Sequence, residues 1–153
     1  MITLETSGIL AALNRADPDH ERAREALRAD RGPLIVPAGI LAEVGYMVEV
    51  DLGAAVLRQF VSDLDDGYYE LDCGEGDFRR IGELLERYAD MQLGLADACV
   101  IACAERRGKR VLTFDRRDFV PVAREGTITV VGLPTRASQE PPSIKRATPL
   151  RRS

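Results

Sequence analysis

The chain has 153 residues, 45% apolar and 30% charged, the proportions of one soluble domain with a single core. No apolar run approaches the roughly 20 residues of a membrane span. The Met1-Ile2-Thr3-Leu4 start has neither the basic nor the long apolar region of a secretory signal, so a cytoplasmic protein with no membrane association is expected. The net charge of −4 is unevenly spread: residues 136–153 hold five basic residues against one acid, which leaves −8 on the first 135. An acidic body excludes a bulk coat for nucleic acid, and any such contact must be local.

In chain order, Met1–Leu4 reads as a short strand, and Thr6 or Ser7 can cap a helix running through Leu13. Asp17-Pro18-Asp19 starts a second helix to about Ala29, with Ala23, Ala26 and Leu27 inward. Leu34–Val36 is a strand ended by Pro37. Apolar positions Ile40, Leu41, Val44, Met47 and Val48 recur at helical spacing from Ala38 to about Val50. Another helix follows Gly53, then a strand over Tyr68–Leu71, a helix over Asp77–Tyr88 and one over Leu95–Arg107. Strands at Lys109–Thr113 and Thr127–Val131 complete the pattern.

Short strands separated by helices predict an α/β fold, a three-layer α/β/α sandwich around a short-stranded, mainly parallel sheet. The domain is expected over residues 1–133, with a basic, Pro-, Ser- and Arg-rich disordered tail over 134–153. The cysteines, Cys73, Cys99 and Cys103, are odd in number and read as reduced thiols. Cys99 and Cys103 share a helix face as small core residues rather than a metal pair.

Position separates the acids. Glu5 directly follows the first strand and Asp115 follows a late one, at the sheet edge where open parallel sheets bind ligands. Glu43 lies in a mostly apolar helix, and Asp97 is the only charge from Gly94 to Ala104. A cap or first-turn helix acid is the plain reading of Asp97; a paired core charge and a ligand are the others. Two carboxylates about 4 Å apart repel by roughly 4 kcal/mol at an effective dielectric near 20. Four together are untenable without a cation unless several are protonated, and oxygen donors without a His and Cys cluster select Mg²⁺ or Mn²⁺ over zinc.

These acids, in the segments Leu4-Glu5-Thr6-Ser7-Gly8-Ile9-Leu10, Ile40-Leu41-Ala42-Glu43-Val44, Gly94-Leu95-Ala96-Asp97-Ala98 and Val111-Leu112-Thr113-Phe114-Asp115-Arg116-Arg117-Asp118-Phe119, resemble the PIN-domain ribonucleases. Within them they resemble the VapC-type toxins of VapBC toxin–antitoxin pairs. The resemblance covers roughly residues 1 to 132. It implies a metal-dependent endoribonuclease, with a cognate antitoxin as partner, RNA as substrate and a homodimeric state. Carried over, Glu43, Asp97 and Asp115 match the catalytic acids, and these with Glu5 match the metal ligands. Thr6, Ser7 and Thr113 match hydroxyl positions near the site, and Asp90 and Asp118 match accessory acids. Arg116 and Arg117 stand where they could contact the RNA backbone, with Arg106, Arg107, Lys109 and Arg110 close in sequence. One position departs: the family's first acid is normally Asp, and here it is Glu5. The longer side chain puts the Mg²⁺ geometry at that position in question. The alternative reading is therefore a catalytically weakened module that acts by binding an antitoxin or RNA. A receiver-like phosphorylation switch or a haloacid-type hydrolase would need further acids beside Glu5, where Thr6 and Ser7 stand.

Overall fold

In a computed structural model, which describes residues 1–134, five strands form one sheet in the order β3-β2-β1-β4-β5, and every pairing is parallel. The strands are β1 (Ile2–Leu4), β2 (Leu34–Pro37), β3 (Glu70–Asp72), β4 (Arg110–Leu112) and β5 (Thr129–Val131). Central β1 is buried along its whole length, as a strand covered on both faces must be. The expected three-layer α/β/α architecture is the one observed.

Seven helices connect these strands: α1 (Thr6–Leu13), α2 (His20–Ala29), α3 (Leu41–Leu52), α4 (Ala54–Asp65), α5 (Phe78–Arg87), α6 (Leu95–Arg106) and α7 (Arg116–Arg124). Helix α6 packs across β1, β2 and β4. Its interior Ala98, Val100, Ile101, Ala102, Cys103 and Ala104 are all buried, with the small Ala and Cys side chains letting the helix lie against the sheet and Val100 and Ile101 filling the core. Cys103 is thus a core residue, Cys99 is half-buried and Cys73 exposed, all as free thiols. Helix α1 meets β4 closely at Gly8. A Cβ on Gly8 would stand 2.4 Å from the Leu112 carbonyl oxygen, so only glycine permits that contact.

Three local expectations are corrected. Glu5, not Thr6 or Ser7, caps α1: its backbone is extended and its carboxylate accepts the Ser7 N–H. Strand β4 begins at Arg110 because Lys109 has φ 65°, a left-handed conformation that no strand residue adopts. Helix α7 was not foreseen, because Pro121, which cannot donate an N–H, reads as a helix stop yet sits within it. The expected basic tail lies outside the described residues beyond Pro134.

Strand order reverses between β1 and β4. From β1 the chain moves to β2 on one side, and from β4 to β5 on the other. Right-handed crossovers in opposite directions place their helices on opposite faces and open a crevice at the carboxyl ends of these two strands. Glu5 leaves β1 at that crevice and Thr113 to Asp115 leave β4 there.

Candidate metal centre

Three carboxylates converge at this crevice. Asp97, Asp115 and Asp118 each bring an oxygen within 4.8 Å of the others. Asp97 stands in the first turn of α6. Asp115 is the N-cap of α7, and its Oδ1 accepts the Asp118 N–H at 3.2 Å. An acid three residues after an N-cap returns over the same helix end, which brings Asp118 back beside Asp115. The resemblance marks Asp118 as an accessory acid, and α7, not foreseen from the sequence, brings it into the group itself.

Glu5 is buried next to this group and contributes no oxygen to it. Its Oε2 accepts from the Ser7 N–H at 2.9 Å, from the Thr113 hydroxyl at 2.8 Å and from the Ser7 hydroxyl. Ser7 Oγ also accepts the Phe114 N–H at 2.8 Å, and Thr113 Oγ1 accepts the Asp115 N–H at 3.0 Å. These bonds stitch the start of α1 to the turn that leads into α7. Thr6 is buried in the first turn of α1.

The electrostatics are those of crowded anions. Burial pushes the Asp97 carboxyl up to about 7, and the charges of Glu5, Asp118 and Asp115 push the same way. Burial also raises Glu5, against the hydrogen bonds from Ser7 and Thr113 that favour its ionised form, and the Asp115 charge adds to the rise. Among the described residues no Lys or Arg forms an ion pair with Asp97 or Asp115. Asp118 Oδ1 is buried without a hydrogen-bond partner, and its nearest cation, Arg117 Nε, is 3.7 Å away. An all-oxygen donor set with an orphaned buried carboxylate oxygen fits a hard divalent cation. The residues present therefore fit Mg²⁺ or Mn²⁺.

Other expected residues stand apart. Glu43 lies in the first turn of α3, exposed to solvent despite its apolar neighbours in sequence, and outside the carboxylate group. It faces outward because Val44 and Val48 define the buried side of that helix. Asp90 is exposed in a 3₁₀ turn (Ala89–Met91), also outside the group. Arg106 and Arg107 are engaged by Asp72, Asp77 and Glu70, and Arg110 by Asp30 at the opposite edge of the sheet, so none of them is free for RNA. Arg116 is exposed and pairs with no carboxylate among the described residues. Arg117 is 70% exposed and donates to the Met91 carbonyl at 3.0 Å.

The PIN domain family matches residues 2–125. The ribonuclease VapC26 of Mycobacterium tuberculosis is 31% identical over 118 residues, which span 76% of this chain and 87% of that protein. Among solved structures, M. tuberculosis VapC20, a toxin that cleaves the sarcin–ricin loop, superposes with a TM-score of 0.70 at 18% identity. That match covers 80% of this chain and 95% of the toxin. VapBC2 of Rickettsia felis, solved bound to a DNA fragment of its promoter, matches with a TM-score of 0.62 at 18% identity, covering 85% of this chain and 97% of that one. FitAcB of Neisseria gonorrhoeae gives 0.58 at 18% identity, over 86% and 96%.

Proposed function

The chain belongs to the PIN domain family, and from that premise we propose that it is the toxin of a toxin–antitoxin pair, an endoribonuclease that requires Mg²⁺ or Mn²⁺. The observation that carries this reading is the convergence of Asp97, Asp115 and Asp118 within 4.8 Å at the strand-order reversal. Asp97 and Asp115 would hold the ion. When bound, it supplies charge neutralisation at the phosphate and an acidified water as nucleophile.

The remaining work falls to the chain itself. Without a cation the acids would repel a phosphodiester, so the same cluster that captures the ion also excludes RNA from an unloaded site. The Asp97 carboxyl, raised to about 7 in the ion-free site, is about half protonated at neutral pH, and the cation must displace that proton. Glu43, exposed in the first turn of α3 and outside the grouped acids, would take a proton from the attacking water once substrate is seated. Arg116 and Arg117 stand at the N-terminus of α7, where backbone N–H groups and the helix dipole also favour a phosphate. These residues would hold the RNA backbone beside the acids.

The likeness to VapBC2 of Rickettsia felis supports an antitoxin partner. Tyr46 and Val50, one turn apart on α3, and Val61 on α4 are exposed, and a partner chain or a second copy would bury them. No helix among the described residues is long and apolar enough to cross a membrane. A cytoplasmic location is part of the proposal and agrees with three free thiols.

A second reading draws on one observation: Glu5, where the family carries Asp, is held by Ser7 and Thr113 and lies outside the carboxylate group. A weakened nuclease acting mainly by binding would follow. Incubation of purified protein with total RNA and Mn²⁺ separates the two. Cleavage abolished by chelator and by Asp97→Asn supports the enzyme; intact RNA under all conditions supports the binding module. Relief of growth arrest by a neighbouring reading frame tests the antitoxin.

A further inference from the structure

Glu5 and Asp118 hold different positions from those that sequence order assigns them. Glu5 comes first among the acids and follows β1, yet three donors already converge on its Oε2. Its carboxylate turns back over the start of its own helix and caps it through the Ser7 N–H. Asp118 is only 8% exposed, and its Oδ1 has no hydrogen-bond partner although it sits within the group formed with Asp97 and Asp115. Arg117 Nε, at 3.7 Å and on a mostly exposed side chain, is beyond hydrogen-bond range. A buried carboxylate oxygen among other acids is unfavourable unless a proton shared with a neighbour, here Asp97, or a cation completes its surroundings, and only a cation does so with all three acids ionised.

The bonds around Glu5 also lead somewhere. Glu5 Oε2 accepts from the Thr113 hydroxyl, which leaves the lone pairs of that oxygen turned toward the Asp115 N–H that it accepts. Asp115 in turn accepts from Asp118 N–H. Glu5 is thus the anchor of a chain of hydrogen bonds that ends at two of the three grouped acids.

We propose that in this protein Asp118 joins Asp97 and Asp115 as a direct ligand of the divalent cation, while Glu5 is a positioning residue that fixes Thr113 and, through it, Asp115. This assignment rests on the metal-dependent reading above. It predicts that the hydrogen-bonding capacity of residue 5, rather than its charge, matters most for the ion. Asp118→Asn weakens Mn²⁺ binding by about 30-fold or more, the upper part of the range for altered metal surroundings. Glu5→Gln keeps an acceptor for Thr113 and Ser7, and weakens binding at least about tenfold less than Asp118→Asn does; Glu5→Ala, which removes the anchor, weakens it more than Glu5→Gln.

Calorimetric titration of the full chain with Mn²⁺ alone measures these affinities. Anomalous diffraction from Mn²⁺-soaked wild-type crystals gives the ligand set without any variant, with an Asp118 oxygen expected within about 2.2 Å of the metal and Glu5 outside that distance. Wild-type protein that binds no Mn²⁺ overturns the metal-dependent reading and this assignment together. Wild type that binds, with Glu5→Gln as weak as Asp118→Asn or with Mn²⁺ ligated by Glu5 and not Asp118, overturns the assignment alone.

Discussion

Replacing Asp97 by Asn should stabilise the ion-free protein and destabilise the loaded one relative to wild type. In the absence of metal, Asp97 faces Asp115 and Asp118 with oxygens within 4.8 Å. Each such pair of full charges repels by about 3.5 kcal/mol at an effective dielectric of 20. Solvent reaches Asp97, which is only half-buried, so a net gain of about 1–2 kcal/mol on removing its charge is expected. Against this stands the favourable first-turn position of an acid in α6, about 0.3–1 kcal/mol, which is too small to reverse the sign. For a chain of this length the gain corresponds to about 3–6 °C in Tm.

The pH dependence has a definite direction. The native carboxyl is raised from 3.8 to about 7, so the folded state keeps a proton that the unfolded state has lost. Wild-type stability therefore falls as pH rises between these values and levels off above about 7. The advantage of Asp97→Asn in chelator is full near pH 8 and closes toward pH 4. With Mn²⁺ at a hundred times its Kd, wild type gains about 2.7 kcal/mol and the variant gains little, so the order of melting temperatures reverses. Differential scanning fluorimetry in chelator and in Mn²⁺, across this pH range, measures both halves. A variant that melts below wild type in chelator near pH 8 would refute the crowded-anion account of this site.

Gly8→Ala should cost about 1–3 kcal/mol in urea unfolding, since its Cβ meets the Leu112 carbonyl oxygen at 2.4 Å and pushes α1 from β4. Unchanged stability would mean that this contact yields freely. Arg106 donates to both carboxylates Asp72 and Asp77 at 2.6–3.1 Å, so Arg106→Ala should lower stability by about 1–2 kcal/mol after allowing for its partial exposure. Hydrogen bonds from Arg106, outweighing burial, hold Asp72 below its ordinary value, so the wild-type advantage is present above about pH 4 and lost as pH falls through the lower native value. Acid titration followed by circular dichroism of both proteins checks this, and an advantage independent of pH would contradict it. Arg116→Ala should raise KM for RNA with little change in kcat, and reduce the dependence of log KM on log salt by about 0.7 for one lost phosphate contact to a single strand. An unaltered salt slope would remove Arg116 from the RNA path. Glu43→Gln should lower kcat at least about a hundredfold while leaving Mn²⁺ affinity nearly intact, given its place outside the grouped oxygens. Equal loss of affinity would make it a ligand instead.

Much of this molecule is written in local pattern. The alternation of short apolar strands with helices specifies a parallel, helix-covered sheet, because only that arrangement buries both faces of strands such as β1. Asp97, alone among small apolar residues, and Asp115, directly after a strand, stand out for the same reason: a charge placed against the burial pattern marks a position under another constraint. Three matters belonged to the tertiary structure. Glu43 lies in an apolar stretch of sequence, but which side of α3 meets the core is a question of packing, and Val44 and Val48 turn Glu43 to solvent. Arg106 and Arg110 are near Asp115 in sequence and yet committed elsewhere, because the partners that hold them, Asp72, Asp77 and Asp30, come from distant segments. Asp118 depended on α7, whose Pro121 conceals the helix that carries the acid back to Asp115. Sequence periodicity thus determined most of the elements, α7 excepted, and marked Asp97 and Asp115 as acids at the sheet edge. The distances among side chains from different elements, and so which acid joins the group and which one caps a helix, were decided only when β1, α6 and α7 came together.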